Sequence, residues 1–327
     1  MKPPQTRAGA GVRPLSEPLP REDRRVGLLG VPMDLGQGRR GVDMGPSAAR
    51  YAGFQSMLEE LGFSVEDSGN VGVPLPELAG SEDEPLWRLG AVRDVCTDVC
   101  GQVRETVSGG TFPVVLGGDH SISIGTVSGV VAANRAAGEK TGVIWLDAHA
   151  DFNTPESSPS GNIHGMPLAT LAGRGHPELV DIGGEGASIR AEDVVLIGLR
   201  SVDLQEQRLL TEAGATAYTM KEIDAYGIAR VVRKAIENLS HLDRVHLSFD
   251  LDALDPETAP GVGTPVRGGL TYREAHLVME MLNESNIVTS LDVVEINPIL
   301  DAKNTTAELA VELVASLMGR RIIALPR

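Results

Sequence analysis

Short apolar runs alternate with longer amphipathic stretches along most of the chain. Eight runs are rich in Val, Leu and Ile and are typical of buried β-strands. The predicted strands cover residues 25–31, 63–67, 112–117, 142–146, 194–198, 215–219, 244–249 and 290–294. Apolar positions at helical spacing predict helices over 47–61, 86–107, 228–238, 272–283 and 305–317. Because strands alternate with helices, the pattern predicts an α/β fold with a three-layer, doubly wound, mostly parallel eight-stranded sheet.

Acidic and histidine side chains follow three of these strands where each strand ends. They are His120 after the third strand, Asp147, His149 and Asp151 after the fourth, and Asp250 and Asp252 after the seventh. Ligands of such sheets bind outside the carboxyl ends of the strands, so we expect the six side chains to converge. Taken singly, such an Asp can cap a helix and a lone His is usually structural. Together they predict a two-metal centre that activates water for hydrolysis.

The donor set also indicates which metal would bind. Four carboxylates and two imidazoles, with no thiolate, favour Mn²⁺ over a structural zinc ion. Calcium is disfavoured because it prefers ligands that are all oxygen.

Three segments resemble the signatures of the ureohydrolase family, and in particular of its arginase branch. They read GGDHS at 117–121, DAHAD at 147–151 and SFDLDALDP at 248–256, and the similarity extends from Val26 to the C-terminus. The resemblance implies an arginase/deacetylase-like fold and two Mn²⁺ per subunit. It assigns His120, Asp147, Asp151 and Asp250 to one ion, and Asp147, His149, Asp250 and Asp252 to the other. Asp147 and Asp250 would bridge the two ions.

The segment 151–165 is similar to the arginase version of a loop that binds the substrate's α-carboxylate. Its neutral donors suit a carboxylate at a solvent-facing rim. The candidates are Asn153, Ser158, Ser160, Gly161 and Asn162. The arginase pattern also places Asp203, with Glu206 close behind, at the α-ammonium group. The same residue types form ordinary turns and helix caps, and Asp203 can serve in both roles.

The remaining candidates concern the guanidinium group and proton transfer. Glu295 follows the strand 290–294 and can accept a bidentate fork, and Thr264 matches a family position in the same pocket. His164 resembles the family's general acid, a role that suits an imidazole titrating near neutrality. The resemblance implies that a metal-bridging hydroxide converts L-arginine to L-ornithine and urea. Asp252 would take the proton of the nucleophile, and His164 would protonate the leaving δ-nitrogen.

Three other functions compete with this interpretation. The first is another ureohydrolase, an agmatinase or guanidinobutyrase, which Asn153, Ser160 and Asp203 disfavour because agmatine has no carboxylate. The second is a one-zinc deacetylase of related fold, which the full two-ion ligand set disfavours. The third is a catalytically dead metal-binding protein, but no ligand position shows such a loss.

Composition sets the remaining expectations. The 327 residues, 42% of them hydrophobic, predict a single domain over 25–327 after a flexible, Pro- and Arg-rich tail over 1–24. A net charge of −16 argues against nucleic acid and anionic membranes as partners. No apolar run is long enough to span a membrane and no targeting signal is recognisable, so a cytoplasmic location is expected. The cysteines Cys96 and Cys100 are expected to be reduced thiols. By family resemblance the chain would assemble as a hexamer or a trimer.

Overall fold

The computed structural model describes residues 25–79, 86 and 88–323, so the predicted tail 1–24 lies outside the described residues. One sheet of eight strands runs through them. Its strands are β1 (Arg25–Val31), β2 (Ser64–Asn70), β3 (Phe112–Gly117), β4 (Thr141–Leu146), β5 (Val194–Leu199), β6 (Thr216–Thr219), β7 (Arg244–Asp250) and β8 (Val288–Val294). Their order is β2-β1-β3-β8-β7-β4-β5-β6, and every neighbouring pair is parallel. The predicted fold class is confirmed.

Helices cover both faces of the sheet. They are α1 (Gly45–Tyr51), α2 (Phe54–Glu60), α3 (Leu89–Ser108), α4 (Ser123–Ala136), α5 (Pro167–Leu171), α6 (Pro177–Val180), α7 (Leu204–Ala213), α8 (Met220–Tyr226), α9 (Ile228–Leu239), α10 (Tyr272–Ser285) and α11 (Thr305–Leu317). None of these helices has the length and hydrophobicity needed to cross a bilayer.

Alternate residues of the central strands enter different cores, which is why these strands read as continuous apolar runs. In β4, Ile144 and Leu146 pack with α9, α10 and α11 on one face. The intervening Val143 and Trp145 pack on the other face with residues of α4, α5 and α7. The sheet is therefore the middle layer of three.

The helix prediction differs from the structure at the range 47–61, and helices α4 to α8 are absent from the prediction. The predicted helix 47–61 is two helices, because Gly53 has φ +88° and begins α2 in the left-handed region. Helix α4 has no predicted counterpart, since nearly all its residues are buried and it lacks a polar stripe. A Cβ at Gly125 would lie 2.5 Å from the Cys96 carbonyl oxygen, and one at Gly129 would lie 2.6 Å from that of Cys100. These glycines let α4 pack tightly against α3.

The strand order brings the predicted ligand segments together. Strands β3, β8, β7, β4 and β5 are consecutive neighbours in the sheet. All five are followed, at their carboxyl ends, by residues that the sequence singles out for chemistry. The topology alone therefore gathers segments that lie far apart in the chain at one edge of the sheet.

Candidate active site

His120 lies at the centre of a buried group of carboxylates. Three carboxylate oxygens surround its Nδ1: Asp147 Oδ2 at 3.0 Å, Asp151 Oδ2 at 3.0 Å and Asp250 Oδ2 at 3.2 Å. This nitrogen is buried and has no partner in hydrogen-bonding geometry among the described residues. An imidazole nitrogen that faces three carboxylate oxygens without a well-directed hydrogen bond fits the donor set of a divalent cation.

A second group shares Asp147 with the first. His149 Nδ1 lies 3.0 Å from Asp252 Oδ2 and 3.5 Å from Asp147 Oδ1. One donor atom from each of these three residues lies within 4.8 Å of the others, as do donor atoms of His120, Asp147 and Asp151. The structure thus supplies two adjacent groups that could each hold an ion. Asp250 stands beside the first group, and its predicted role as a bridge stays a prediction.

The charges of the cluster fit two divalent cations. Burial and the neighbouring Asp147 raise the pKa of Asp151 to about 6, and burial together with nearby carboxylates raises the pKa of Asp250 and of Asp252. Burial would also raise the pKa of Asp147, but its contacts with His120 and His149 outweigh burial and lower it. Four ionised carboxylates carry four negative charges, and two divalent cations would balance them.

Two site residues have backbone angles that side chains rarely adopt. Asp151 has φ +49° and Glu295 has φ +63°, and such conformations cost free energy that the surroundings must offset. The Asp151 carbonyl accepts the backbone N–H groups of Leu168 and Ala169, at 3.0 and 3.2 Å, in the first turn of α5. The Glu295 N–H donates to the Gly118 carbonyl at 2.8 Å. These bonds fix the backbone that aims both carboxylates into the site.

Glu295 joins the metal-ligand group to His164. Its Oε1 accepts the His120 backbone N–H at 3.1 Å and lies 3.0 Å from His164 Nδ1, while Oε2 accepts Gln37 Nε2 at 3.0 Å. A Cβ at Gly263 would collide with Oε2, so glycine there keeps the space beside the carboxylate open. Burial would raise the pKa of Glu295, but its bonds, chiefly from His164, outweigh burial and lower it. Burial would lower the pKa of His164, but Glu295 raises it to about 8.

The rim residues are connected to one another. Asn153 Nδ2 donates to Asp203 Oδ2 at 2.9 Å. Asp203 also caps α7 through Oδ1, which accepts the N–H groups of Gln205 and Glu206. The capping role of Asp203 is therefore present, and the same carboxylate is tied to the loop that contains Asn153.

The rest of the predicted recognition loop is engaged in turns. Ser158 Oγ accepts the Gly161 N–H at 3.0 Å, and Ser160 Oγ accepts the Asn162 N–H at 3.2 Å. Thr264 lies inside the cluster, where its hydroxyl donates to Asp252 Oδ2 at 3.0 Å. A role for these five residues in binding substrate stays a prediction.

The comparisons with known proteins agree with this geometry. The model of the Arginase family matches residues 24–319. The chain belongs to the arginase family. It is 53% identical to the arginase of Bacillus caldovelox over 91% of this chain and 99% of that protein, and 50% identical to the arginase of Bacillus subtilis strain 168 over 92% and 100%. The native structure of the Bacillus caldovelox arginase at pH 5.6 superimposes with a TM-score of 0.88 over 92% of this chain and 100% of that one.

Arginase-family motifs point to the ligands, but several supporting residues carry no such signal. Gln37 lies in the stretch that resembles the family, yet its bond to Glu295 depends on the fold. Arg200 donates from its guanidinium to the backbone carbonyls of Asp252, Leu254 and Val266, at 2.6, 3.1 and 2.7 Å. It thereby fixes the loop that carries Asp252. One group of supporting residues does leave a signal in the sequence: polar residues occupy alternate positions inside the otherwise apolar strands β7 and β8.

Burial of Glu206 at this rim should make the stability of the protein depend on pH. Glu206 is 4% exposed and accepts the Phe152 N–H at 2.9 Å, and burial, with help from Asp151 and Asp203, raises its pKa from 4.5 to about 7. A carboxyl group with a higher pKa in the folded than in the unfolded protein lowers the free energy of unfolding as pH rises from 4.5 to 7, because unfolding then releases a proton. Above pH 7 this loss of stability has reached its full size. Glu206→Gln removes this loss and keeps an acceptor for Phe152.

We therefore expect the variant to unfold with a free energy about 2–3 kcal/mol higher than the parent at pH 8, with the gap closing towards pH 4.5. Urea denaturation at several pH values measures this. Glu212→Gln, exposed on the same helix, is the matched control and should change stability little at any pH. A constant gap across the pH range would contradict the prediction.

Proposed function

We propose that this chain hydrolyses L-arginine to L-ornithine and urea, with two Mn²⁺ bound by His120, Asp147, His149, Asp151, Asp250 and Asp252. The observation that carries the proposal is the meeting of these six donors beside Glu295, at the ends of neighbouring strands. Two cations bound there would lower the pKa of a water between them and so supply hydroxide at neutral pH. Oxygen and imidazole donors without thiolate support manganese as the metal.

Glu295 would hold the guanidinium group. Its carboxylate is ionised, buried and fixed by bonds to His120, His164 and Gln37. A carboxylate can accept two parallel N–H groups of a guanidinium, which fixes the plane of the group as well as its position. The open space at Gly263 gives the substrate access to this carboxylate. The guanidinium carbon would then face the water-activating cluster.

Two other residues would manage protons. Asp252 would take the proton from the nucleophile at Oδ2, the oxygen that also accepts the Thr264 hydroxyl. His164 would protonate the leaving δ-nitrogen and recover its proton from solvent. A pKa of about 8 keeps the His164 ring protonated at neutral pH. Its side chain is 16% exposed, so the ring can exchange protons with water.

His164→Asn tests the proton transfer. We expect turnover to fall by about 10²-fold, at the low end for general acid catalysis because water can carry part of the proton traffic. Two Mn²⁺ per subunit should remain bound, since the His164 side chain bonds to Glu295 and not to the six donors. His241→Asn is the control, because His241 is exposed and lies between α9 and β7, before the amino end of the strand whose carboxyl end carries Asp250. Unchanged turnover of His164→Asn would remove it from the mechanism.

The rim supports arginine over related guanidines. Asn153 and the loop hydroxyls would bind the α-carboxylate, and Asp203 with Glu206 would bind the α-ammonium group. Agmatine lacks that carboxylate, and guanidinobutyrate lacks the ammonium group. Urea release should therefore be fastest with arginine. Release from agmatine or guanidinobutyrate at an equal or greater rate would instead favour the alternative ureohydrolases.

Metal dependence and assembly are tested separately. Removal of metal with a chelator should abolish urea release, and Mn²⁺ should restore it more fully than Zn²⁺ or Mg²⁺. A metal-free protein with full activity would overturn the proposal.

We also propose a homo-oligomer, a hexamer or a trimer, which sedimentation would distinguish.

A further inference from the structure

A column of buried polar residues runs through the middle of the sheet behind His120. His246 and Ser248 in β7 stand directly opposite Ser290 and Asp292 in β8. All four are at most 1% exposed. Polar residues in such a position must satisfy one another, because water does not reach them. Nothing in the proposed mechanism uses them.

Asp292 is the acceptor on which this column converges. Its Oδ1 accepts the Ser248 hydroxyl at 2.6 Å, and its Oδ2 accepts the Ser123 hydroxyl at 2.9 Å and lies 3.2 Å from His246 Nε2. Burial would raise the pKa of Asp292, but these partners, led by His246, outweigh burial and lower it. The group is therefore a carboxylate, which can only accept hydrogen bonds.

The hydrogen atoms can then be assigned one by one. A serine hydroxyl has one proton, and that of Ser248 points to Asp292. At its other contact, 2.8 Å from His120 Nε2, Ser248 can only accept. The hydrogen of a neutral His120 ring is therefore on Nε2, and the lone pair is on Nδ1, which faces the carboxylate oxygens of the first metal group.

We infer that Asp292 is a positioning residue that acts through Ser248 to hold His120 in the tautomer that can bind a metal ion. The opposite tautomer would direct an N–H at the ion. The inference rests on the proposed metal centre, and it adds a residue that does not touch metal or substrate. Hydrogen-bond partners of metal-binding histidines commonly change metal affinity by about 10- to 100-fold when they are lost.

The test is a titration of the full-length, metal-stripped protein with Mn²⁺, in which electron paramagnetic resonance measures the free ion. Asp292→Asn and Ser248→Ala should each weaken the ion bound at His120 by about 10- to 100-fold. The double variant should bind no more weakly than the weaker single variant, because both changes break the same connection. Additive losses would show that Asp292 acts by another route and would overturn the inference.

Ser290→Ala is the matched control. In the part of the chain that the structure describes, the Ser290 hydroxyl bonds to His246 Nδ1 at 2.9 Å, on the side away from Asp292. Its loss therefore affects the same buried column without touching Ser248. A merely structural role would lower the thermal stability of all these variants and leave Mn²⁺ affinity unchanged. The inference requires a lower Mn²⁺ affinity in Asp292→Asn and Ser248→Ala and an unchanged affinity in Ser290→Ala.

The two proposals fail in different ways. A parent chain that binds fewer than two Mn²⁺ would overturn the proposed function. A parent that binds two, with Asp292→Asn and Ser248→Ala binding equally well, would overturn only the role of Asp292. If Asp292→Asn does not fold, the comparison of Ser248→Ala with Ser290→Ala still decides.

Discussion

Asp147→Asn is expected to leave the protein with neither Mn²⁺ ion and to lower kcat/KM for arginine by about 10²–10⁴-fold, since removing one charged partner from a buried ionic site costs about 3–5 kcal/mol. Asp147 is shared by the two groups of donors that the described residues form. The two carboxylate oxygens of Asp147 accept the Trp145 indole N–H and the His149 backbone N–H. The asparagine amide has one acceptor oxygen and can therefore keep only one of these bonds. Metal analysis of the purified variant and urea release measure the two effects.

Asp151→Asn is the matched control, because Asp151 belongs to the first group alone. It should retain one ion per subunit where Asp147→Asn retains none. Equal metal content in the two variants would contradict the shared position of Asp147.

Glu295→Gln is expected to lower kcat/KM by about 10²–10³-fold, because loss of one partner of a buried charge pair costs about 2–5 kcal/mol. The metal content should stay at two ions, since the bond of Glu295 to the cluster comes from the His120 backbone N–H, which a glutamine oxygen can still accept. Gln37 can rotate its amide to meet the new N–H₂ group, so the side chain should be accommodated. Steady-state kinetics with arginine and metal analysis provide the measurements.

Gln37→Ala is the comparison for this variant. It removes a hydrogen bond to Glu295 but leaves the charge, so its effect should be much smaller. A loss in Gln37→Ala as large as that in Glu295→Gln would mean that orientation of residue 295, and not its charge, decides binding.

The middle of the sheet was predictable because its central strands are buried on both faces. A run such as Val194–Leu199, buried throughout, is apolar at every position and ends sharply at polar residues. Burial is also why the sequence pattern missed helix α4, because full burial removes the polar stripe that identifies a helix. The break at Gly53 depends on a backbone angle, which a hydrophobic pattern does not record.

The meeting of the six candidate donors was predictable because topology, and not local structure, brings them together. Parallel strands end at one edge, so a motif after each strand is enough to place its residues near the others. The supporting bonds are different. The contact of Gln37 with Glu295 joins residues 258 positions apart, and that of Ser248 with Asp292 depends on the register of β7 against β8. Register is set by packing, which a single sequence does not display.

The loop 153–162 shows where one residue type has two uses. Serines and asparagines in it form the turns that the sequence allows, as Ser158 and Ser160 do. Asn153 instead bonds to Asp203 across 50 positions. Sequence pattern identifies these residues as polar loop residues but does not separate those that shape the loop from those that face the substrate.

The close packing of α3 against α4 has a practical consequence for spectroscopy. The chain's two cysteines, Cys96 and Cys100, are 0% and 7% exposed in that contact, and burial raises the pKa of both thiols. Since thiolate is the form that attacks maleimides, neither native thiol should compete for a fluorescent dye in the folded enzyme. A cysteine introduced at a surface site such as Tyr51, 89% exposed, can therefore be labelled without first removing the native pair.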